Sequence, residues 1–205
     1  RLIRYVNNII YSSKLEIGYM DIKFENSNIV YLVEEVVLSI VDIAKDKNIE
    51  IIFNTEEEEI ITAIDEEKIV RVILILLSNS IKFSKEKGDI CVEMRREDEE
   101  VVIKVTDNGI GINEDMKEKI FDKFKRVQSV SNLNVDHEGS GLGLYIAKGF
   151  IELHNGSISV VSEVEKGSTF IITIPIVIIK NDLHNINHMD EDELNRIIKI
   201  ELSDL

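Results

Sequence analysis

Cysteine, proline and tryptophan are nearly missing from this chain: one Cys, one Pro and no Trp among 205 residues. The lone cysteine, Cys91, excludes an internal disulfide. It lies in the strand-like run DICVEMRRE and reads as a small core hydrophobe rather than a nucleophile. That usage fits a reducing cytoplasm. Basic residues are also scarce, 24 against 39 acidic ones, for a net charge of −15. Nucleic acid or an anionic membrane is therefore disfavoured as the main partner, because phosphate backbones are bound by clustered Lys and Arg. A small phosphate ligand stays open, since backbone N–H groups and one or two cations can hold it. No apolar run approaches the roughly 18 residues of a membrane span, and no signal peptide is visible. The chain begins without methionine, inside a helical pattern, and reads as a fragment.

What is present is 44% hydrophobic and 31% charged, which is a globular composition with length for one or two domains. Residues 1–17 place Leu2, Ile3, Val6, Ile9, Ile10 and Leu15 near helical spacing, and Gly18 ends that helix. A connector, YMDIKFENSN, leads to Asn28, which can cap a long helix through IVYLVEEVVLSIVDIAKDKN. IEIIFN and IITAI read as strands on either side of a solvated acidic turn. Asp65 can cap the next helix, which contains RVILILLSNSIKF. DICVEMRRE and EVVIKVTD form a hairpin pattern, followed by a helix at EDMKEKIF. Residues 125–140 are polar, aperiodic and loop-like. A helix from about Leu142 to Leu153, two strands in GSISVVSEV and STFIITIPI, and a polar tail with a short element at LNRIIKIEL complete the pass. Helices alternate unevenly with hairpins, so the expected class is α+β, a two-layer sandwich with helices over one face of a mixed sheet.

Of the ten glycines, most fall in three clusters: DNGIGI, GSGLGLYIAKG and KGST. Glycine admits positive φ and lets a ligand approach the backbone. A Gly-rich loop feeding a helix N-terminus is also a phosphate seat. Each cluster alone is an ordinary turn pattern. GSGLGL fails as a dinucleotide fingerprint because a polar loop, not a strand, precedes it. The order of the pieces is more specific: an asparagine-bearing helix, strand–DNGIG, IFDKFKRV, GSGLGLYIAK, ELHNGSISV, then KGSTFIITIP.

That order, over residues 1–176, resembles the ATP-binding catalytic domain of sensor histidine kinases, within the superfamily shared with gyrase-type and chaperone ATPases. The resemblance implies a Bergerat-type ATP-binding fold. Residues 1–17, with SSKLEIG, resemble the end of the dimerisation and phosphoacceptor helix; 18–28 would be a linker, 29–176 the catalytic domain and 177–205 a polar C-terminal tail. It implies that Asp107 recognises adenine, with Gly109, Gly111 and Ile112 close to the base. Gly139, Ser140, Gly141 and Gly143 would cradle the phosphates, with Leu142 and Leu144 behind, and 125–140 would be the lid. Phe121 and Phe124 match the family's phenylalanine box, and both also read as core. Arg126 matches a residue that reaches the γ-phosphate. Asn79 matches the asparagine that ligates Mg2+, Lys82 would reach a phosphate, and Phe83 would sit beside the adenosine. Thr169 would serve the pocket wall or the core. Asn79, Lys82 and Arg126 are the expected catalytic set.

The sequence departs from the family at Ile75, one turn before Asn79. A second asparagine is common there, and the hydrolysing relatives carry a glutamate as general base; isoleucine supplies neither. Gyrase-type hydrolysis is therefore not expected. The acceptor histidine is also not expected in the chain: His137 falls in the lid, His154 at a helix end, and His184 and His188 in the tail. The resemblance implies phosphoryl transfer from Mg·ATP to a histidine on a dimeric upstream domain, then to a response regulator receiver domain, with a homodimer in the full protein. Two alternatives stay open, a non-catalytic nucleotide-binding regulatory module and an anti-sigma-type serine kinase. SSKLEIG speaks against the latter.

Overall fold

A computed structural model describes residues 1–85, 87–125, 140–180, 188–203 and 205. Helix α1 (Leu2–Glu16) leads to strand β1 (Glu25–Asn28) and helix α2 (Ile29–Asp46). Strands β2 (Glu50–Thr55) and β3 (Ile61–Ile64) precede helix α3 (Glu66–Phe83). Strands β4 (Asp89–Glu97) and β5 (Glu100–Asp107) form a hairpin. Helix α4 (Gly143–Leu153), strands β6 (Ser157–Glu163) and β7 (Gly167–Pro175), and helix α5 (Glu191–Glu201) follow.

Both long helices start where side chains can satisfy their first N–H groups. Asn28 Oδ1 accepts from Val30 N–H at 3.1 Å, and Asp65 Oδ1 from Lys68 N–H at 3.2 Å. The main sheet has the order β2–β4–β5–β7–β6. β2 lies parallel to β4 and the remaining pairs are antiparallel, so the sheet is mixed. Alternation along the strands sends one set of side chains toward the helices: Ile90, Val92 and Met94, then Val101, Ile103 and Val105, then Phe170, Ile172 and Ile174, all buried. α2, α3 and α4 cover that face. α3 is apolar nearly all round because the sheet, α2, α4 and α5 surround it. The opposite face is open, and Cys91 sits there, half-exposed beside Asn54. Its place out of phase with Ile90 and Val92 corrects the core reading of this cysteine.

The sequence expectations differ from the structure at two other points. EDMKEKIF is two 3-10 turns, Glu114–Met116 and Lys119–Phe121, rather than one helix. The segment is too short for a stable α-helix, and its i→i+3 bonds bury Ile120 and Phe121. The connector contains β1, which pairs antiparallel with β3. The short element expected at LNRIIKIEL in the polar tail is helix α5, which starts earlier, at Glu191, and buries Leu194, Ile197, Ile198 and Leu202. Its approach is tied down. Ala63 N–H donates to Val177 O at 2.7 Å. The amide of Asn26, 2% exposed, donates to Ile179 O at 3.0 Å and accepts from Ile179 N–H at 2.9 Å.

Candidate functional site

The C-terminal half of α3, the end of β5, the start of β7 and the start of α4 converge at one end of the sandwich. Asp107 is the last residue of β5, in phase with Val105 and Ile103, so its side chain enters the helix layer. It is 7% exposed. Its Oδ1 accepts from Gly109 N–H at 2.9 Å, and its Oδ2 from Ser80 Oγ at 3.4 Å. Burial pushes its carboxyl above the usual range, against the backbone N–H groups of Gly109 and Ser168 and the Ser80 hydroxyl. A half-satisfied, desolvated carboxylate at a strand end is a ready acceptor for an amino group.

Two glycines are forced by close approach. A Cβ on Gly109 would lie 2.3 Å from Phe83 O, so only glycine lets the DNGIG loop lie against the end of α3. Gly111, at φ +68°, passes 2.0 Å (by the same measure) from Glu163 O. Ile110 N–H donates to Phe83 O at 3.2 Å, and Ile112 N–H to Ser162 Oγ at 2.8 Å, which fixes the loop between α3 and β6. Ile112 is buried and serves the core behind the loop.

Opposite lies the start of α4. Gly141 has φ +67°, and its carbonyl accepts from Phe124 N–H at 2.9 Å. Ser140 Oγ accepts from Leu142 N–H at 3.3 Å. Leu142, at the N-cap, makes no side-chain cap, so the first turn presents its N–H groups outward. Leu142 is buried and Leu144 half-buried. A Cβ on Gly143 would lie 3.3 Å from Ile75 Cγ2, so Ile75 forms an apolar floor under the α4 N-terminus. Asn79 is one turn further along α3 on the same face, half-buried, with Lys82 and Phe83 following at i+3 and i+4. Lys82 Nζ lies 5.8 Å from the centroid of the Phe83 ring.

The remaining expected residues divide. Phe121 is buried, edge-on to Phe170 at 6.4 Å, and belongs to the core. Phe124 is 70% exposed, and only its backbone meets the glycine run. Thr169 is out of phase with Asp107: it pairs with Thr106 across the strands, Oγ1 to Oγ1 at 3.1 Å, on the open face of the sheet. That placement corrects the pocket-wall expectation. Its neighbour Ser168 is buried and opposite Asp107 in register, and sequence reasoning missed it. Counting strand alternation from Asp107 would have found it. Ser80 was missed as well: its contact with Asp107 crosses from α3 to β5, and no local motif marks it. Lys148 pairs with Glu152 on the surface. His154 is structural, its Nε2 accepting from Asp65 N–H at 3.0 Å and its Nδ1–H donating to Phe150 O at 2.7 Å. Arg126, Gly139 and His137, with most of the segment read as a lid, lie outside the described residues, as does His184.

A family model described as histidine kinase-, DNA gyrase B- and HSP90-like ATPase matches residues 64–178. The chain is 33% identical over 177 residues to the sensor histidine kinase WalK of Bacillus subtilis, covering 85% of this chain and 28% of WalK. It is 32% identical over 179 residues to histidine kinase P4 of Formosa agariphila, covering 85% of this chain and 13% of that protein. The chain thus spans less than a third of the length of these curated relatives. Among solved structures, a nucleotide-free catalytic domain of histidine kinase ThkA is 30% identical with a TM-score of 0.66, covering 76% of this chain and 97% of that one. Histidine kinase ThkA in complex with the response regulator protein TrrA aligns with a TM-score of 0.67 at 26% identity, covering 84% of this chain and 48% of that one.

Proposed function

This chain belongs to the histidine kinase-, DNA gyrase B- and HSP90-like ATPase family and carries the ATP-binding catalytic domain of a histidine kinase, and from that premise we propose how its residues serve phosphoryl transfer. The observation that carries the reading is Asp107: a buried carboxylate, flanked by a glycine that admits close approach, facing an uncapped helix N-terminus across the site. Asp107 accepts from the adenine 6-amino group, with Ser168 and Ser80 holding the carboxylate. The N–H groups at the start of α4 and the glycines before it bind the phosphates. Lys82 and Arg126 neutralise the charge that develops on the transferred group.

The residues also fit Mg2+. Asn79 offers one hard amide oxygen, and no cluster of three or more His, Cys, Asp or Glu side chains occurs among the described residues. A Mg2+ ion held mainly by water and phosphate oxygens with one protein ligand suits that donor set. When bound, it would offset the negative charge of the phosphates. Ile75 holds no proton and activates no water, so ATP is protected from hydrolysis and the phosphoryl group is kept for an external acceptor. That acceptor is a histidine on the dimerisation domain whose last helix is α1, and a response regulator receiver domain takes the group from it. The partner chain is a second copy of this protein, and the domain works in the cytoplasm. No helix among the described residues is long and apolar enough to cross a membrane.

The test is calorimetric titration with a non-hydrolysable ATP analogue, with and without Mg2+, on the native chain and Asp107→Asn. Binding that needs Asp107 and strengthens with Mg2+ supports the reading. Phosphorylation of a supplied dimerisation domain then separates a working kinase from a regulatory module. Binding without transfer to any competent acceptor would favour the module.

A further inference from the structure

Arg71 is a buried cation. It opens the apolar stretch of α3 and is 4% exposed. A buried guanidinium is tolerated only when paired and hydrogen-bonded. Its Nε and Nη2 donate to Glu67 Oε1 at 3.0 and 2.9 Å, one turn back on the same helix. Its Nη1 donates to Glu201 Oε1 at 2.6 Å. Glu201 is the last residue of α5 and is 3% exposed.

The same pair reaches α1. Arg4 Nη1 donates to the carbonyl of Glu201 at 2.6 Å. The Tyr11 ring lies under the Arg71 guanidinium, 5.1 Å from its carbon, and the Tyr11 hydroxyl donates to Glu67 Oε1 at 3.4 Å. Glu201 at the end of α5 therefore joins three helices: its carboxylate accepts from Arg71 and stands 4.0 Å from Arg4 Nε, and its carbonyl accepts from Arg4 Nη1. α5 is seated in the main core by Leu194, Ile197, Ile198 and Leu202. It lies beyond the residues that the family model matches.

α1 depends on these contacts. Its most apolar residues, Leu2, Ile3, Val6, Ile9 and Ile10, are exposed, while the side it buries carries Asn8 and Ser12. Its apolar hold on the catalytic domain is narrow, chiefly Leu15 against Gly149 and Tyr11 against Phe150. Docking of α1 is thus mostly polar, and directional polar contacts release when one partner is removed.

We propose that α5 is an intramolecular clamp, closed by Glu201, that holds α1 against the catalytic domain, and that its release frees the domain to move relative to α1.

The experiment is hydrogen exchange by mass spectrometry on the whole chain, comparing native protein with Glu201→Gln, Arg4→Met and the control Lys199→Ala. Glu201→Gln keeps the shape of the side chain. Arg4→Met cuts the link from the α1 side and leaves the Arg71–Glu201 pair in place, so a folding defect in one variant does not blunt the test. The expected result is exchange about tenfold faster or more across residues 2–16 in both variants, none in Lys199→Ala, with residues 107–111 and analogue affinity unchanged. Unchanged α1 protection in both variants overturns the clamp, and so does equal loosening of the whole chain. Failure of the native chain to bind the analogue would sink the kinase reading and leave the clamp, read from α1 exchange alone, standing.

Discussion

Asp107 is held at a cost, and the sign of that cost can be checked. Its carboxyl is raised in the fold, so the folded state takes up a proton more readily than the unfolded one. The unfavourable ionised form is present above the raised value and relieved as pH falls through it. Asp107→Asn keeps an oxygen for the Gly109 N–H and removes the charge. It is expected to raise the melting temperature of the ligand-free protein at neutral pH while weakening analogue affinity about 10- to 100-fold, as loss of a charged hydrogen bond does. Native affinity should also fall as pH is lowered toward the raised carboxyl value, and the Asn variant should lose that dependence; titrations across pH check both. Gly109→Ala is expected to cost about 1–3 kcal/mol by denaturant melting, because its Cβ meets backbone rather than a movable side chain. At this scale the sequence showed the residues that motifs mark, Asp107 and the glycines among them. It hid those that depend on register. Ser168 and Thr169 are neighbours with similar hydroxyls, and only the strand pairing assigns one to Asp107 and the other to the open face.

Among elements, those with a cap or a sustained period were legible: α2 behind Asn28, α3 behind Asp65, and the β4–β5 hairpin. Elements stabilised by distant partners were not. β1 is too short and polar to announce itself, and exists because β3 lies beside it. α5 shows in the sequence only as a short element in a polar tail because its apolar stripe is narrow, and Arg71 and α1 supply what it binds. One joint between elements carries a pH prediction. His154 at the end of α4 accepts from the N–H of Asp65, the cap of α3, and burial pushes its pKa below the ordinary 6.5. The unfolded chain therefore binds the proton first. Stability is fully present above about 6.5 and is lost as pH falls from there through the lowered folded value. Chemical denaturation from pH 7.5 to 5 should show that decline, and His154→Gln, less stable at pH 7, should show a flatter one.

For the whole molecule, α1 is the anomaly. It turns Leu2, Ile3, Val6, Ile9 and Ile10 to solvent within three turns, with Ile3 and Ile10 seven residues apart. Such a face is covered by a second copy in the proposed dimer. Sedimentation of the native chain should show concentration-dependent dimers, favoured by salt because each copy carries −15. Ile3→Asp with Ile10→Asp should leave a monomer that still binds the analogue.

Where the domain stops is a further matter, and Asn26 decides it. The family match ends at residue 178, yet the buried Asn26 amide exchanges two hydrogen bonds with residue 179. A protein trimmed at the family boundary would therefore lose two hydrogen bonds to the buried Asn26 amide, worth about 1 kcal/mol each. The natural cutting point for anyone isolating this domain lies downstream of Ile179, and by the reach of α5 it is the far end of that helix.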